Sequence, residues 1–301
     1  MGLSSYTYID LLISSVLMLM MIGIGLSLTP SSFKNIFIEP ESLLIGLIIQ
    51  MIGLPVIAFL ITLISGLSLP VSIGLIILAA CPGGTTAGII TFFFKGNVAL
   101  AITFTAINSL LTLFSIPLIV NLSLRYYYGQ TAEIQLPYLE TILQIFSVTI
   151  FPTAIGLLLR IYKPVFAASI QQSLRYIMLV ALAVVFIIKF FATEDSGGTG
   201  ITMNEIMQIL PYALLLNVVC FLFGYGIGLT TKLGAANSYT IAIEAAVHNT
   251  TLAFLVAGTI LQNQEMVKPS LIYAMFSFWT ALLFSYATKR YGGIKPFAEF
   301  K

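Results

Sequence analysis

Charge is what this sequence has least of. Of 301 residues, 13 are Lys or Arg and 11 are Asp or Glu, 8% in all, for a formal net charge of +2. So few charges cannot coat a water-facing surface, and they cannot track a phosphate backbone, which excludes nucleic acid as a partner. Cysteine is nearly absent. Cys81 and Cys220 both fall in apolar runs, where a disulfide has no loop to close and a metal site lacks further ligands, so both read as packing residues. Long polar connections are missing too: the longest runs about a dozen residues, which leaves no extramembrane domain to hold an ordinary soluble active site. What is present is apolar. Hydrophobic residues make up 59% and the mean hydropathy is +1.05, the composition of a chain that lives in a bilayer. The first ten residues, MGLSSYTYID, carry no basic region of a signal peptide, so the first apolar run is expected to remain as a span.

Crossing about 30 Å of hydrocarbon takes about twenty helical residues. A window of that length finds nine candidate spans, at 8–28, 42–64, 70–94, 98–124, 138–160, 171–192, 205–228, 238–261 and 267–288. Breakers mark the short connections, as in Thr29-Pro30-Ser31-Ser32, Gly96-Asn97 and Ser196-Gly197-Gly198. An odd number of spans puts the termini on opposite sides. Lys34, Lys95, Arg160, Lys163, Arg175, Lys232, Lys289, Arg290, Lys295 and Lys301 fall on the side opposite the N-terminus, against Arg125, Lys189 and Lys268 on its own side. The positive-inside rule then sets the N-terminus outside and the C-terminus in the cytoplasm. Sparse loops suit a bacterial inner membrane.

Two spans depart from plain apolar helix. The third carries Pro82-Gly83-Gly84 near its midpoint, where proline removes a helical hydrogen bond and paired glycines loosen the backbone. Freed backbone groups at that depth must be buried in protein or line a cavity; a simple kink in a packing helix is the other reading. The eighth span carries Glu244, His248, Asn249, Thr250 and Thr251 in its middle. Glu244 is the one carboxylate deep in a span, and no Lys or Arg lies at its depth. An isolated charge there costs several kcal/mol, so Glu244 is either protonated or paired with a bound cation. His248 follows four residues on, on the same helical face, as a packing residue, a cation ligand or a proton site.

Both irregularities sit near the middle of their spans, in segments that cross the membrane in opposite directions. This arrangement is expected of inverted repeats, here 8–124 and 171–288 with 138–160 as the extra span, and favours secondary transport over a channel. In that reading the start of the second half-helix, Gly84, Thr85 and Thr86, offers free N–H groups and a positive dipole end to a carboxylate. Asn249 and Thr250 add donors from the other broken span, with interhelical polar packing as the alternative reading of such residues.

Cys81-Pro82-Gly83-Gly84-Thr85 followed by Lys95-Gly96-Asn97 resembles the hallmark of the bile acid:sodium symporter family. Gly23 to Pro30, Gln50 with Pro55, Ile243-Glu244 with Asn249, and Phe276-Ser277-Phe278-Trp279 extend the likeness over nearly the whole chain. The resemblance implies an all-α, nine-span fold with panel and core domains, two crossing discontinuous helices, sodium sites behind the crossing and an organic anion beside it. It implies a second sodium site at Gln50, Glu244, the carbonyls of Ala245 and Val247, and His248 where the family has glutamine. In its first site only Thr105 and Glu244 match, because Ala87, Gly88 and Ala101 stand where the family has oxygen-bearing side chains. An alanine methyl supplies no ligand, so one sodium site is expected, with proton coupling as the variant. The expectation is a cation-coupled carrier of a bile-acid-like or smaller carboxylate, with no cofactor and no catalytic residues. The alternatives are a proton-coupled or uncoupled organic anion carrier and, from other classes, an ion channel or a hydrolase pairing Glu244 with His248.

Overall fold

The structure, a computed structural model, describes residues 5–28, 40–129, 136–193 and 196–291. The connection at Thr29 to Ser32 and the cations Lys34, Lys295 and Lys301 lie outside the described residues, as do the side chains of Thr85 and Arg175. Every named element among the described residues is helical.

Local sequence sets where these helices begin, bend and stop. Helix α1 covers Ser5–Ser27. In α2 (Pro40–Ser65) the backbone widens into a π turn over Ile49–Gly53. Pro55 follows at once and has no N–H to return to the preceding turn, the usual setting for such a widening. Helix α3 (Leu69–Ala80) stops because Cys81 precedes Pro82 and is held extended, at φ −72 and ψ 145. After the four-residue break comes α4 (Thr85–Phe93). Asn97 then caps α5 (Val98–Tyr128), its side chain accepting from the Leu100 N–H at 3.0 Å. Helix α6 (Tyr138–Tyr162) is interrupted at Thr149, three residues before Pro152, and α7 (Pro164–Phe191) opens on proline. A full Thr202–Glu205 capping box starts α8 (Met203–Thr230). Helix α9 (Ala235–Ala246) breaks at Val247 to Asn249 and resumes as α10 (Thr250–Ile260), whose last six residues form a π turn. Helix α11 (Gln264–Tyr291) completes the described chain.

Six of these helices, α1, α2, α5, α6, α8 and α11, are long and apolar enough to cross a membrane, and a seventh qualifies if the bent α7 counts as one. The broken pairs have the same reach. With 12 and 9 residues in α3 and α4, and 12 and 11 in α9 and α10, each pair adds up to about 30 Å at about 1.5 Å per residue. The outer faces are apolar, with Ile64, Leu139 and Val165 among many large side chains left open to the surroundings, as lipid permits and water does not.

Two packing groups follow from the contacts. Helix α1 lies against α6 and α7, while α3 packs with α2, α5 and α11, and α9 with α8. The α1–α6 pair is close because neither side of its meeting point has a side chain. A Cβ on Gly25 would run into the backbone at Thr153 and Gly156, and one on Gly156 into the backbone of Ile22 and Leu26. The groups touch again near the N-terminal ends of α1 and α11. There the Thr259 hydroxyl donates to Asp10 at 2.9 Å, and Lys189 of α7 donates to Gln264 at 3.0 Å and to the Gly197 carbonyl. Lys268 is paired with Glu205 at 2.6 Å and with Glu265. Lys189 and Lys268 are therefore buried and internally bonded, not loop charges, and neither partners Glu244.

Candidate functional site

The two helix breaks meet. Gly84 donates its N–H to the Val247 carbonyl at 2.7 Å, and Asn249 donates to the Pro82 carbonyl at 2.8 Å. This antiparallel pair, centred on Gly83 and His248, satisfies backbone groups that the broken helices released, in the one way open to them away from water. Gly83-Gly84-Thr85-Thr86 and His248-Asn249-Thr250-Thr251 lie 165 positions apart. The bridge thus joins residues that hold the same place in two like stretches.

Each break is held by an amide from a neighbouring helix. Gln50, on the π turn of α2, donates through Nε2 to the Cys81 carbonyl at 2.9 Å. On the other side Asn217 of α8 donates to the Ala246 carbonyl at 3.0 Å and to the Tyr273 hydroxyl, which itself donates to Ala246 at 2.6 Å. Asn217 is thus an interhelical clamp on the second break.

Orphaned oxygens gather behind the crossing. Glu244 is fully buried, and its Oε2 accepts from the Thr105 hydroxyl at 2.8 Å while Oε1 has no partner. Gln50 Oε1 is likewise buried and free. The Ala245 carbonyl loses its helical donor because the Asn249 N–H goes to Pro82, and the Val247 carbonyl accepts from Gly84 alone. Three oxygens of the expected second site, Glu244 Oε1, Gln50 Oε1 and the Ala245 carbonyl, thus lack a donor where an unmet polar group costs about 1–3 kcal/mol each, while the Val247 carbonyl keeps one lone pair spare; oxygens of this kind are what a hard cation takes as ligands. Neither ring nitrogen of His248 makes a hydrogen bond of good geometry, though the ring faces the Cys81 backbone and tilts against Tyr273 at 5.4 Å. Among the described residues no three of His, Cys, Asp and Glu come together.

The first site is poorer in oxygen. Ala87 is buried and brings only a methyl; a Cβ on Gly88 would meet nothing within 4 Å. Thr105 already spends its hydroxyl proton on Glu244. Asn108, one turn along α5, is fully buried with both amide atoms unpartnered.

Beside the crossing, between the two packing groups, opens a cavity of about 470 Å³, a size suited to an organic molecule. Gly84, Thr86, Gly88 and Thr105 form its inner end, and Ser27, Arg160 and Gln171 also line it. Asn249 and Thr250 are not part of this wall. Asn249 instead caps α10 by accepting from the Leu252 N–H, with its Nδ2 free. The Gly84 N–H expected to face an anion is used in the bridge, so the first-turn donors left on α4 are those of Thr85 and Thr86. Thr105 joins both regions: it lines the cavity and hydrogen-bonds Glu244.

Arg160 was expected only as a charge at a span end. Its place in the wall follows from the Gly25–Gly156 contact, one turn before it, and two glycines 131 positions apart are the sole sequence signal of that contact.

Residues 14–196 match the model of the Sodium Bile acid symporter family. The chain is 28% identical over 259 residues to "Probable sodium/metabolite cotransporter BASS2, chloroplastic" of Oryza sativa, a match covering 84% of this chain but only 58% of the rice protein. It is 28% identical to the sodium-dependent transporter YocS of Bacillus subtilis, over 92% of this chain and 81% of that one. The hepatic sodium/bile acid cotransporter of Rattus norvegicus is 24% identical, over 96% and 79%. These relatives are named as transporters, not enzymes.

Proposed function

Because this chain belongs to the Sodium Bile acid symporter family, a family of sodium-coupled membrane transporters, we propose that it carries an organic anion across a bacterial inner membrane in symport with sodium. The observation that carries the reading is the Thr105 hydroxyl, which lines the cavity and bonds Glu244. An anion in the cavity and a cation at Glu244 then act on one side chain, and each favours the arrangement that suits the other.

In this reading nine spans form two inverted repeats, 8–124 and 171–288, with 138–160 as the extra span. The N-terminus is outside and the C-terminus cytoplasmic. The group built on α1, α6 and α7 is the panel and the remainder the core. The cavity is lined by the C-terminal half of α1 and by α7 from Gln171 to Leu182, while the Asp10, Lys189 and Gln264 contacts tie panel to core nearer the other ends of these helices. That is a state open to the side away from the N-terminus, and alternation breaks those contacts. Gln50, Glu244, Ala245, Val247 and His248 hold one sodium ion. Ala87, Gly88 and Thr105 leave the first site without enough side-chain oxygen, so one ion per cycle is the expected stoichiometry. Thr85 and Thr86 present N–H groups to the carboxylate, with Gly84 letting it approach and Asn249 and Thr250 behind it at the start of α10.

Uptake of a labelled conjugated bile acid into proteoliposomes should saturate, show counterflow, and fall to background when external sodium is replaced by choline. Uptake unchanged in choline but driven by an acid-outside gradient would transfer the coupling role to protons at Glu244 and His248. Single-channel currents in place of saturable uptake would overturn the carrier.

A further inference from the structure

The cavity has two polar ends. At the inner end Thr86 and Thr105 line the cavity with Met20 of α1, whose sulfur accepts from the Thr251 hydroxyl beside the crossing at 3.7 Å. At the outer end Gln171 of α7 donates to the Ser27 hydroxyl of α1 at 2.8 Å, and Ser27 in turn donates to the Gly23 carbonyl. Seven residues of α1 separate Met20 from Ser27, about 10 Å along the helix. Arg160 joins this outer end. It follows by one turn the glycine that packs on Gly25, and it lines the same cavity as Ser27 and Gln171. No carboxylate among the described residues pairs with it. Between the ends the wall is apolar, with Ile24, Ile89, Phe92 and Leu179 among its residues.

A guanidinium with no carboxylate partner among the described residues, in a cavity wall held by the α1–α6 contact and shared with an amide and a hydroxyl, is suited to take a carboxylate or sulfate in a forked hydrogen bond. We propose that Arg160, with Gln171 and Ser27, forms a second anion-recognising end of the cavity, so that the preferred substrates are elongated amphipathic molecules with an anionic group at each end. This rests on the transport reading above, in which the first anionic group lies against the start of α4. A substrate with a single anionic end fills the apolar middle and leaves the guanidinium facing its own hydration water.

The test is a matched pair, decanoate and decanedioate, which differ by one terminal carboxylate. Each is titrated against purified protein in sodium by thermal shift, and against bile acid uptake by competition. In the unmodified protein decanedioate should bind at least about ten-fold more tightly than decanoate. In Arg160→Gln that preference should vanish with decanoate affinity unchanged, which also reports that the variant is folded, and Arg160→Lys should restore part of it. Equal affinity of the two acids for the unmodified protein overturns the second end while leaving the transport reading in place, as does an equal loss of both in Arg160→Gln. Absence of binding by either acid, with no sodium-dependent bile acid uptake, overturns the transport reading and the inference with it.

Discussion

Glu244→Gln should abolish sodium-driven uptake and weaken sodium binding at least about a hundred-fold, equivalent to about 3 kcal/mol. The substitution is nearly isosteric. A glutamine oxygen can still accept the Thr105 hydroxyl, which bonds Oε2 at 2.8 Å, so the link between α9 and α5 survives. What changes is the free Oε1 atom, which gives way to an amide that brings protons where the cation needs a lone pair, and the negative charge disappears. Folding should not suffer. Glu244 has no cationic partner among the described residues, and replacing an unpaired buried charge by a neutral amide removes a desolvation cost of several kcal/mol. In sodium-free choline the variant should therefore melt at or above the unmodified protein. A Glu244 with only a structural role gives the reverse pattern, lower stability in every buffer and sodium-dependent uptake within about two-fold of normal once expression is matched.

Gly83→Ala should be strongly damaging at the crossing, and Gly88→Ala among the mildest of the glycine substitutions, although the two glycines lie five residues apart. A Cβ on Gly83 would overlap Glu244 Oε2 and stand 3.3 Å from both its carboxyl carbon and its backbone carbonyl. None of these is the loose end of a flexible chain. The crossing must open or the carboxylate must leave its place between Thr105 and the orphaned oxygens, costing about 1–3 kcal/mol of strain together with the cation site itself. The expected result is a melting temperature several degrees lower and loss of uptake. Gly88 is in the middle of α4, has nothing within 4 Å of its would-be Cβ, and gains helix propensity of about 1 kcal/mol on becoming alanine. Its variant should melt as high or higher, with any effect confined to substrate affinity. Equal melting of the two variants would contradict the packing assigned to the crossing.

Much of this was legible because a bilayer makes polarity expensive. Pro82 with two glycines in an apolar run, and Glu244 in a chain with 11 acidic residues, stand out against a background where neither is tolerated without cause. The like spacing of the breaks was visible too, whereas the hydrogen bonds between Gly84 and Val247 and between Asn249 and Pro82 follow only from three-dimensional pairing. Gln50 was legible through resemblance alone; its place on a π turn, with Nε2 spent on Cys81 and Oε1 free, depends on the widening before Pro55. Asn217 gave no sign of its bond to Ala246, because a clamp and a packing amide look the same in sequence. The cavity position of Arg160 was not legible for a related reason. A cation at a span end informs a sequence reading only about which side it lies on, and whether it faces the surroundings or a cavity is decided by a glycine contact with another helix.

The central claim, a sodium site shared with the crossing, is tested most directly by melting the purified protein against sodium concentration, with potassium or choline holding ionic strength constant, beside Glu244→Gln. A ligand at ten times its dissociation constant stabilises the folded state by about 1.4 kcal/mol, a rise of about 3 °C for a chain of this size. The account predicts a saturable, sodium-specific rise of that order in the unmodified protein and none in Glu244→Gln. A rise that potassium reproduces, or one that persists in Glu244→Gln, would contradict it.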